Sequence, residues 1–314
     1  MKRDFLKLGD FSLDEHMALF RRTAELKQMR RRRKAVMTLV GRALVLIFEK
    51  SSTRTRVSFE LAMTQLGGDA LTLPVSDSQM ARGEPLSDTA RVLSRYADAI
   101  MVRTFGEERL FEFAKHATVP VVNGLTDQGH PVQVLADLYT MAERFGAERL
   151  GELKGRKVAF VGDGLSNMAR SWMEAAGVFG VELHLAAPKA FRPSAQQAED
   201  YGGRSGNIKL FDTPEEACRG VDVVTTDVWI SMGQDAEREL RRQAFGGYCV
   251  DERLLSLASP EAFVLHCLPA HRGEEISAAV LEGPRSAVWD EAENRLHVQK
   301  ALLEKLILDA EKEA

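Results

Sequence analysis

Short apolar runs alternate along this chain with longer stretches whose apolar residues return at i, i+3 and i+4. Runs of four to six residues bounded by polar or turn-forming positions read as buried strands, and the longer periodic stretches read as helices. Ten runs fit the strand pattern: Ala43–Phe48, Ala70–Leu73, Ala99–Val102, Pro120–Val122, Val158–Val161, Glu182–Ala186, Ile208–Phe211, Val221–Thr225, Phe263–His266 and Ala287–Trp289. Between them Thr89–Tyr96, Val132–Phe145 and Asn167–Phe179 carry the helical period. "TPEEA" at Thr213–Ala217 is a helix start, with Thr as N-cap, Pro in the first turn and acids behind it. A strand–helix–strand rhythm sustained this far predicts an α/β fold of two doubly wound domains, each a mainly parallel sheet with helices on both faces.

A chain of 314 residues is long for one hydrophobic core. The expected division is a first domain over residues 1–130, an interdomain helix over 131–146, a second domain over 147–292 and a terminal helix over 293–314. That last helix repeats Leu302, Leu303, Leu306, Ile307 and Ala310 on one face. At 45% hydrophobic and 28% charged the composition is that of a globular protein. A net charge of -4 argues against a nucleic-acid-binding surface over the whole protein. The one basic run, "MRRRRK" at residues 29–34, reads as a solvated helix end. The N-terminus lacks the apolar core of a secretory signal, and no run approaches a membrane span, so a cytoplasmic protein is expected. Cys218, Cys249 and Cys267 are odd in number and widely spaced, which suits reduced thiols and offers no metal-site spacing.

One stretch departs from ordinary strand, loop or helix. "FEKSSTRTRVSFE", Phe48–Glu60, places Arg54 and Arg56 among Ser51, Ser52, Thr53 and Thr55, directly after the apolar run "ALVLIF". In open α/β sheets ligands bind beyond the carboxyl ends of the strands. The free N–H groups and dipole of a helix start there attract an anion, and guanidinium forks suit phosphate. The plainer alternative is an N-cap followed by an exposed basic turn, with Arg56 and Glu60 paired at i,i+4. The helix is expected to end at Gly67–Gly68.

"STRTRVSFE" resembles the carbamoyl phosphate signature of the aspartate and ornithine carbamoyltransferase family. Further landmarks follow in that family's order: "SDSQMARGEPLSDTARVL" (76–93), "MVRT" (101–104), "NGLTDQGHPVQVLADLYT" (123–140), "DVWISMG" (227–233) and "HCLPAHRGEEI" (266–276). "HCLP" and "SMG" are similar to the ornithine-using members. The resemblance implies transfer of a carbamoyl group from carbamoyl phosphate to the δ-amine of ornithine, giving citrulline and phosphate in arginine metabolism. It implies a carbamoyl phosphate domain first and an ornithine domain second, with the terminal helix packing back on the first. No cofactor and no metal are implied.

Carried over residue by residue, the resemblance assigns Ser52, Thr53, Arg54 and Thr55 to the phosphate. Arg103, His130 and Thr55 go to the carbonyl oxygen, Gln133 to the carbamoyl amide, and Arg295 to the same substrate. Gln79 would come from a neighbouring subunit, making a homotrimer part of the site. Asp227 and Ser231 would hold the α-amino end of ornithine, Asn167 would help, and Met232 would line its chain. Cys267 and the Leu268 carbonyl would face the substrates, with Leu268–Pro269 expected as a cis bond. Cys267 would orient ornithine, and either Cys267 working with Asp227 or the phosphate itself would take its proton. The family commonly has two adjacent asparagines where this chain has Ser166 and Asn167. Closure of the two domains, with movement around Ser231–Gly233, is expected to exclude water.

Taken singly, several of these residues have plainer readings. Asp227 fits a strand-end turn, Cys267 a small buried residue, and His130 before Pro131 a turn at a helix start. His271 and Arg272 read as hinge or surface residues. Putrescine and N-acetylornithine remain alternative acceptors. From another class, Gly162-x-Gly164 after a strand begins like a dinucleotide fingerprint. Its third glycine is replaced by Asn167, and no acid ends the next strand, which weakens a nicotinamide-dependent dehydrogenase.

Overall fold

A computed structural model describes residues 2–146, 153–202, 206–230 and 235–312. The chain divides into two units, one of Met1–Tyr139 with Glu293–Ala314, the other of Thr140–Ala292.

The first unit builds on strands β1 (Ala43–Phe48), β2 (Asp69–Pro74), β3 (Ala99–Arg103) and β4 (Val121–Leu125), all parallel, in the order β2-β1-β3-β4. Its helices are α1 (Leu13–Arg31), α2 (Thr53–Thr64), α3 (Leu86–Leu93) and α4 (Glu107–His116). The next helix, α5 (Pro131–Arg144), runs on into the second unit. Strands β3 and β4 are buried along their whole length, whereas the edge strand β2 is half open to solvent. Val45, Ile47, Ile100, Val102 and Val121 of the sheet pack with Leu110 and Phe113 of α4 on one face.

The second unit holds β5 (Lys157–Val161), β6 (Glu182–Ala186), β7 (Ile208–Phe211), β8 (Val223–Thr226) and β9 (Phe263–His266), parallel in the order β7-β6-β5-β8-β9. Helices α6 (Asn167–Phe179), α7 (Ala195–Gly202), α8 (Pro214–Cys218), α9 (Arg238–Ala244), α10 (Glu252–Leu255) and α11 (Ala278–Leu281) connect them. The last helix, α12 (Val288–Lys312), starts in this unit and ends in the first. Each sheet reverses its winding once, between β1 and β3 in the first and between β5 and β8 in the second. Such switch points leave a crevice at the carboxyl ends of the strands, because the flanking connections depart to opposite faces.

Nine of the ten expected strands form, with ends moved by a residue or a few: β4 is Val121–Leu125 and β8 is Val223–Thr226. Ala287–Trp289 is not a strand. Ser286 makes a single bridge to Val264, Ala287 N donates to Val264 O, and the chain then enters α12 at Val288. Its apolar residues are explained by packing, with Val288 buried beside Val264 and Ile276. The terminal helix accordingly begins at Val288, earlier than the expected start at residue 293. The helix expected over Thr89–Tyr96 lies one turn earlier, after Pro85. As the basic run implied, α1 ends at Arg31 with the arginines after it exposed.

Candidate active site

In the first unit the switch point carries the hydroxyl and guanidinium groups. Ser52 is the N-cap of α2, its Oγ accepting from Thr55 N at 3.3 Å. Thr53, Arg54 and Thr55 form the first turn, so their N–H groups lie among the four a helix leaves without internal partners. Arg103 is the last residue of β3, in register with Phe48 of β1, which sets it beside that turn. Its Nη1 donates to Thr55 Oγ1 at 3.4 Å. Arg295, on α12, donates to the same oxygen from Nη2 at 2.9 Å and from Nη1 to Gln133 Oε1. Gln133 in turn donates from Nε2 to Asp137 Oδ1 at 2.8 Å. Thr55, Arg103, Gln133, Asp137 and Arg295 are buried. His130 ends the loop before α5, and its imidazole is held well below the usual histidine pKa. Burial is the main cause, followed by the charges of Arg295, Arg103 and Arg54. The cluster is a neutral imidazole facing three guanidinium groups at a helix start, an arrangement that can hold an anion and polarise a carbonyl.

Neighbouring ion pairs hold this cluster in place. Glu49 takes hydrogen bonds from Thr104 and Arg109, and its N–H donates to Arg103 O at 2.9 Å. Lys50 pairs with Asp127. Arg56 turns outward and pairs with Glu60 at 3.0 Å, so the plainer reading of the motif holds for Arg56.

In the second unit another set of groups gathers at the ends of β8 and β9. Cys267 Sγ donates to Asp227 Oδ1 at 3.1 Å. Asp227 is buried, and desolvation raises its pKa, against which His266 and the Cys267 hydrogen bond act. Leu268 has a left-handed backbone, φ 57°, and the Leu268–Pro269 bond is cis. Its N–H donates to His266 Nδ1 at 2.9 Å, while His266 Nε2 faces Glu275 Oε1 at 3.1 Å. Nδ1 is thus the accepting nitrogen and Nε2 the one turned to Glu275. Ser166 caps α6, accepting from Ala169 N at 3.2 Å, and Asn167 is the first helical residue. The serine in the first asparagine place therefore acts as a helix cap.

The sequence-expected residues thus fall into two sets. Thr55, Arg103, Gln133 and Arg295 are joined by hydrogen bonds, with Ser52, Thr53, Arg54 and His130 beside them; Asp227, Cys267 and Leu268 form the second set. Gln79, at the start of a short 3-10 turn, is exposed, and its side chain bonds none of the first set among the described residues. Ser231 and Met232 lie outside the described residues.

Sequence reasoning missed the supports. Glu275 is fully buried and accepts from both His266 and the His271 N–H. Glu291 Oε2 accepts from His266 N at 2.8 Å. Arg241 joins Asp163 at 2.8 Å to the Trp229 carbonyl at 3.1 Å, tying the ends of β5 and β8 together. The spacing of "HCLPAHRGEE" contains the His266–Glu275 pair, but nothing local marks either residue as buried. Among the described residues His271, Glu274 and Glu275 could each offer a metal one donor atom, within 4.8 Å of one another. Glu275 Oε1 is already taken by His266 and the loop N–H.

The family model for the aspartate/ornithine carbamoyltransferase carbamoyl-P binding domain matches residues 3–143. That for the Asp/Orn binding domain matches residues 154–306. An ornithine carbamoyltransferase of Halorhodospira halophila is 55% identical over 98% of this chain and 99% of its own. One of Geobacter sulfurreducens is 51% identical over 98% of this chain and 100% of its own. The solved ornithine carbamoyltransferase of Pyrococcus furiosus superposes with a TM-score of 0.89 at 46% identity, covering 96% of each chain. With both domain models matched in order and identity above one half across nearly the whole length, the chain belongs to the aspartate/ornithine carbamoyltransferase family.

Proposed function

We propose that this enzyme transfers the carbamoyl group of carbamoyl phosphate to the δ-amine of L-ornithine, giving L-citrulline and phosphate. The observation that carries the reading is the convergence of Arg103 and Arg295 on Thr55, beside a buried, neutral His130 whose pKa is lowered by burial and by the charges of Arg295, Arg103 and Arg54. The first turn of α2, with Ser52, Thr53, Arg54 and Thr55, takes the phosphate. Arg103, His130 and Thr55 stabilise the charge that develops on the carbonyl oxygen, and Gln133 and Arg295 fix the carbamoyl end. An imidazole kept neutral can donate one hydrogen bond to that oxygen without adding a fourth cation to the cluster.

The amine attacks the carbonyl carbon directly. The C–N bond forms, the bond to the phosphate oxygen breaks, and phosphate leaves with the electron pair. No enzyme nucleophile is needed. A free δ-amine, with a pKa near the lysine value of about 10.4, must lose a proton first. Asp227 suits the α-ammonium of ornithine, with Cys267 orienting the amine beside it; Asn167, Ser231 and Met232 complete the amino-acid contacts. Acetylating the α-amine would remove the charge that Asp227 meets, and putrescine lacks that amine, so free ornithine is the favoured acceptor. A dinucleotide site finds no support, because β6 ends in "AAP" with no acid for a ribose. The assembly we propose is a homotrimer in which exposed Gln79 serves a neighbouring subunit's cluster.

Citrulline formation measured with ornithine, aspartate, putrescine and N-acetylornithine tests the acceptor; activity should appear with ornithine, and a preference for another amine would refute the assignment. Arg54→Gln should weaken carbamoyl phosphate binding roughly a hundredfold, the scale of one lost charge-assisted contact. Undiminished affinity would remove the phosphate from α2.

A further inference from the structure

A second cationic hollow lies in the first unit, made of residues that the carbamoyl cluster does not use. Where α1 and α2 end, Arg30, Arg31, Arg33, Lys34 and Lys300 line a cavity of about 730 Å3 together with Thr64 and Gln65. Five cations and no carboxylate form its wall, in a chain whose net charge is -4. Several other arginines of the unit have a carboxylate partner: Arg3 with Glu15, Arg22 with Glu304, Arg56 with Glu60, Arg109 with Glu49. The side chains of Arg30, Arg31, Arg33 and Lys34 form no ion pair or hydrogen bond among the described residues.

A solvated helix end explains basic residues that project into water, but not Lys300. That side chain comes from α12, is 2% exposed, and among the described residues its ammonium meets one acceptor, Gln65 Oε1, at 3.3 Å. An ammonium has three donors to place, so this buried cation is under-matched. Burial and then the charge of Arg30 lower its pKa, with Arg22 acting the same way and Glu304 opposing them. Arg33 meanwhile holds a left-handed backbone, φ 53°, unusual for a residue with a side chain. These features describe a concave, single-signed site whose size falls within the range of small-ligand pockets.

We propose that this hollow binds an oligophosphate, a compact anion carrying three or more charges. Guanidinium forks pair with phosphate oxygens two at a time, and Lys300 adds a point charge at the floor. One phosphate would leave most of the five cations unmatched. The hollow lies at the carboxyl end of α2 and the carbamoyl cluster at its amino end, about 18 Å apart along the helix.

Calorimetric titration of the full-length protein with inorganic tripolyphosphate at low salt tests the site. An Arg54→Gln background weakens competition from the carbamoyl cluster. One tripolyphosphate per chain should bind there, and Arg33→Gln with Lys34→Gln should weaken it about tenfold or more. In an otherwise native chain that double variant should leave citrulline formation and the melting temperature unchanged. ATP in place of tripolyphosphate separates the sources: tighter ATP binding points to a nucleotide, weaker to an inorganic chain, and either supports the site. No binding in the Arg54→Gln background, binding indifferent to the double variant, or equal displacement by duplex DNA would each overturn it.

Discussion

At Thr55 a single hydroxyl oxygen meets two guanidinium groups, one from β3 and one from α12, 240 residues further along the chain. Like charges converge this closely only where something anionic repeatedly visits. His130 registers the same field, and its lowered pKa has a testable consequence. A phosphate dianion in the cluster would cancel much of the arginine charge that disfavours imidazolium. The His130 pKa should therefore rise when inorganic phosphate is added, as read from the imidazole resonances in an NMR titration. A fixed or falling value would place the arginines away from the phosphate. The sign for stability follows as well. Because the folded-state value is lowered, the unfolded chain takes up this proton first, and stability falls as the pH drops through the unfolded value of about 6.5. At this scale the motif around Arg54 was legible, because donors crowded after a buried strand have few other uses. Glu275 and Asp163 were not, since burial of a single acid leaves no local mark.

At the scale of elements, the starts of α2 and α6 illustrate how a cap sets chemistry. Ser52 and Ser166 each accept from the residue three places on, and each presents the next residues at a helix start. In α6 that position depends on close packing against α7. A Cβ on Gly177 would sit 2.3 Å from the carbonyl oxygen of Gly202, a backbone atom that cannot move aside cheaply. Gly177→Ala should therefore destabilise the protein by about 2 kcal/mol, the scale of an overpacked contact, as measured by urea unfolding. Unchanged stability would mean that the helices part easily. The misread segment Ala287–Trp289 shows the limit of patterns here. A short apolar run serves equally as a strand or as the first turn of a buried helix, and only the neighbouring β9 decides between them.

For the whole molecule, the two units divide the labour: the first holds the cluster assigned to carbamoyl phosphate, the second the one assigned to ornithine. The proposed trimer makes a further demand, because Gln79 would act in another subunit's site. Coexpressing a Gln79→Ala chain with an Arg54→Gln chain tests it. Each variant alone should be nearly inactive, yet mixed trimers would contain sites built from the intact half of each. Random assembly in equal amounts restores about a quarter of the sites. No recovery in demonstrably mixed oligomers would confine Gln79 to its own chain.

The amino-acid sequence by itself determined the α/β rhythm, nine of the strands, the helix that begins at Ser52 and the family of motifs. These are local properties, because periodicity, caps and crowded donors act over a few residues. Tertiary structure alone decided which distant groups meet: Arg295 with Thr55, Cys267 with Asp227, His266 with Glu275, Arg241 with Asp163. Such meetings depend on strand order and on which face each helix buries. A buried polar group then has to find its partner among whatever the fold brings near, however far away in the chain that partner lies.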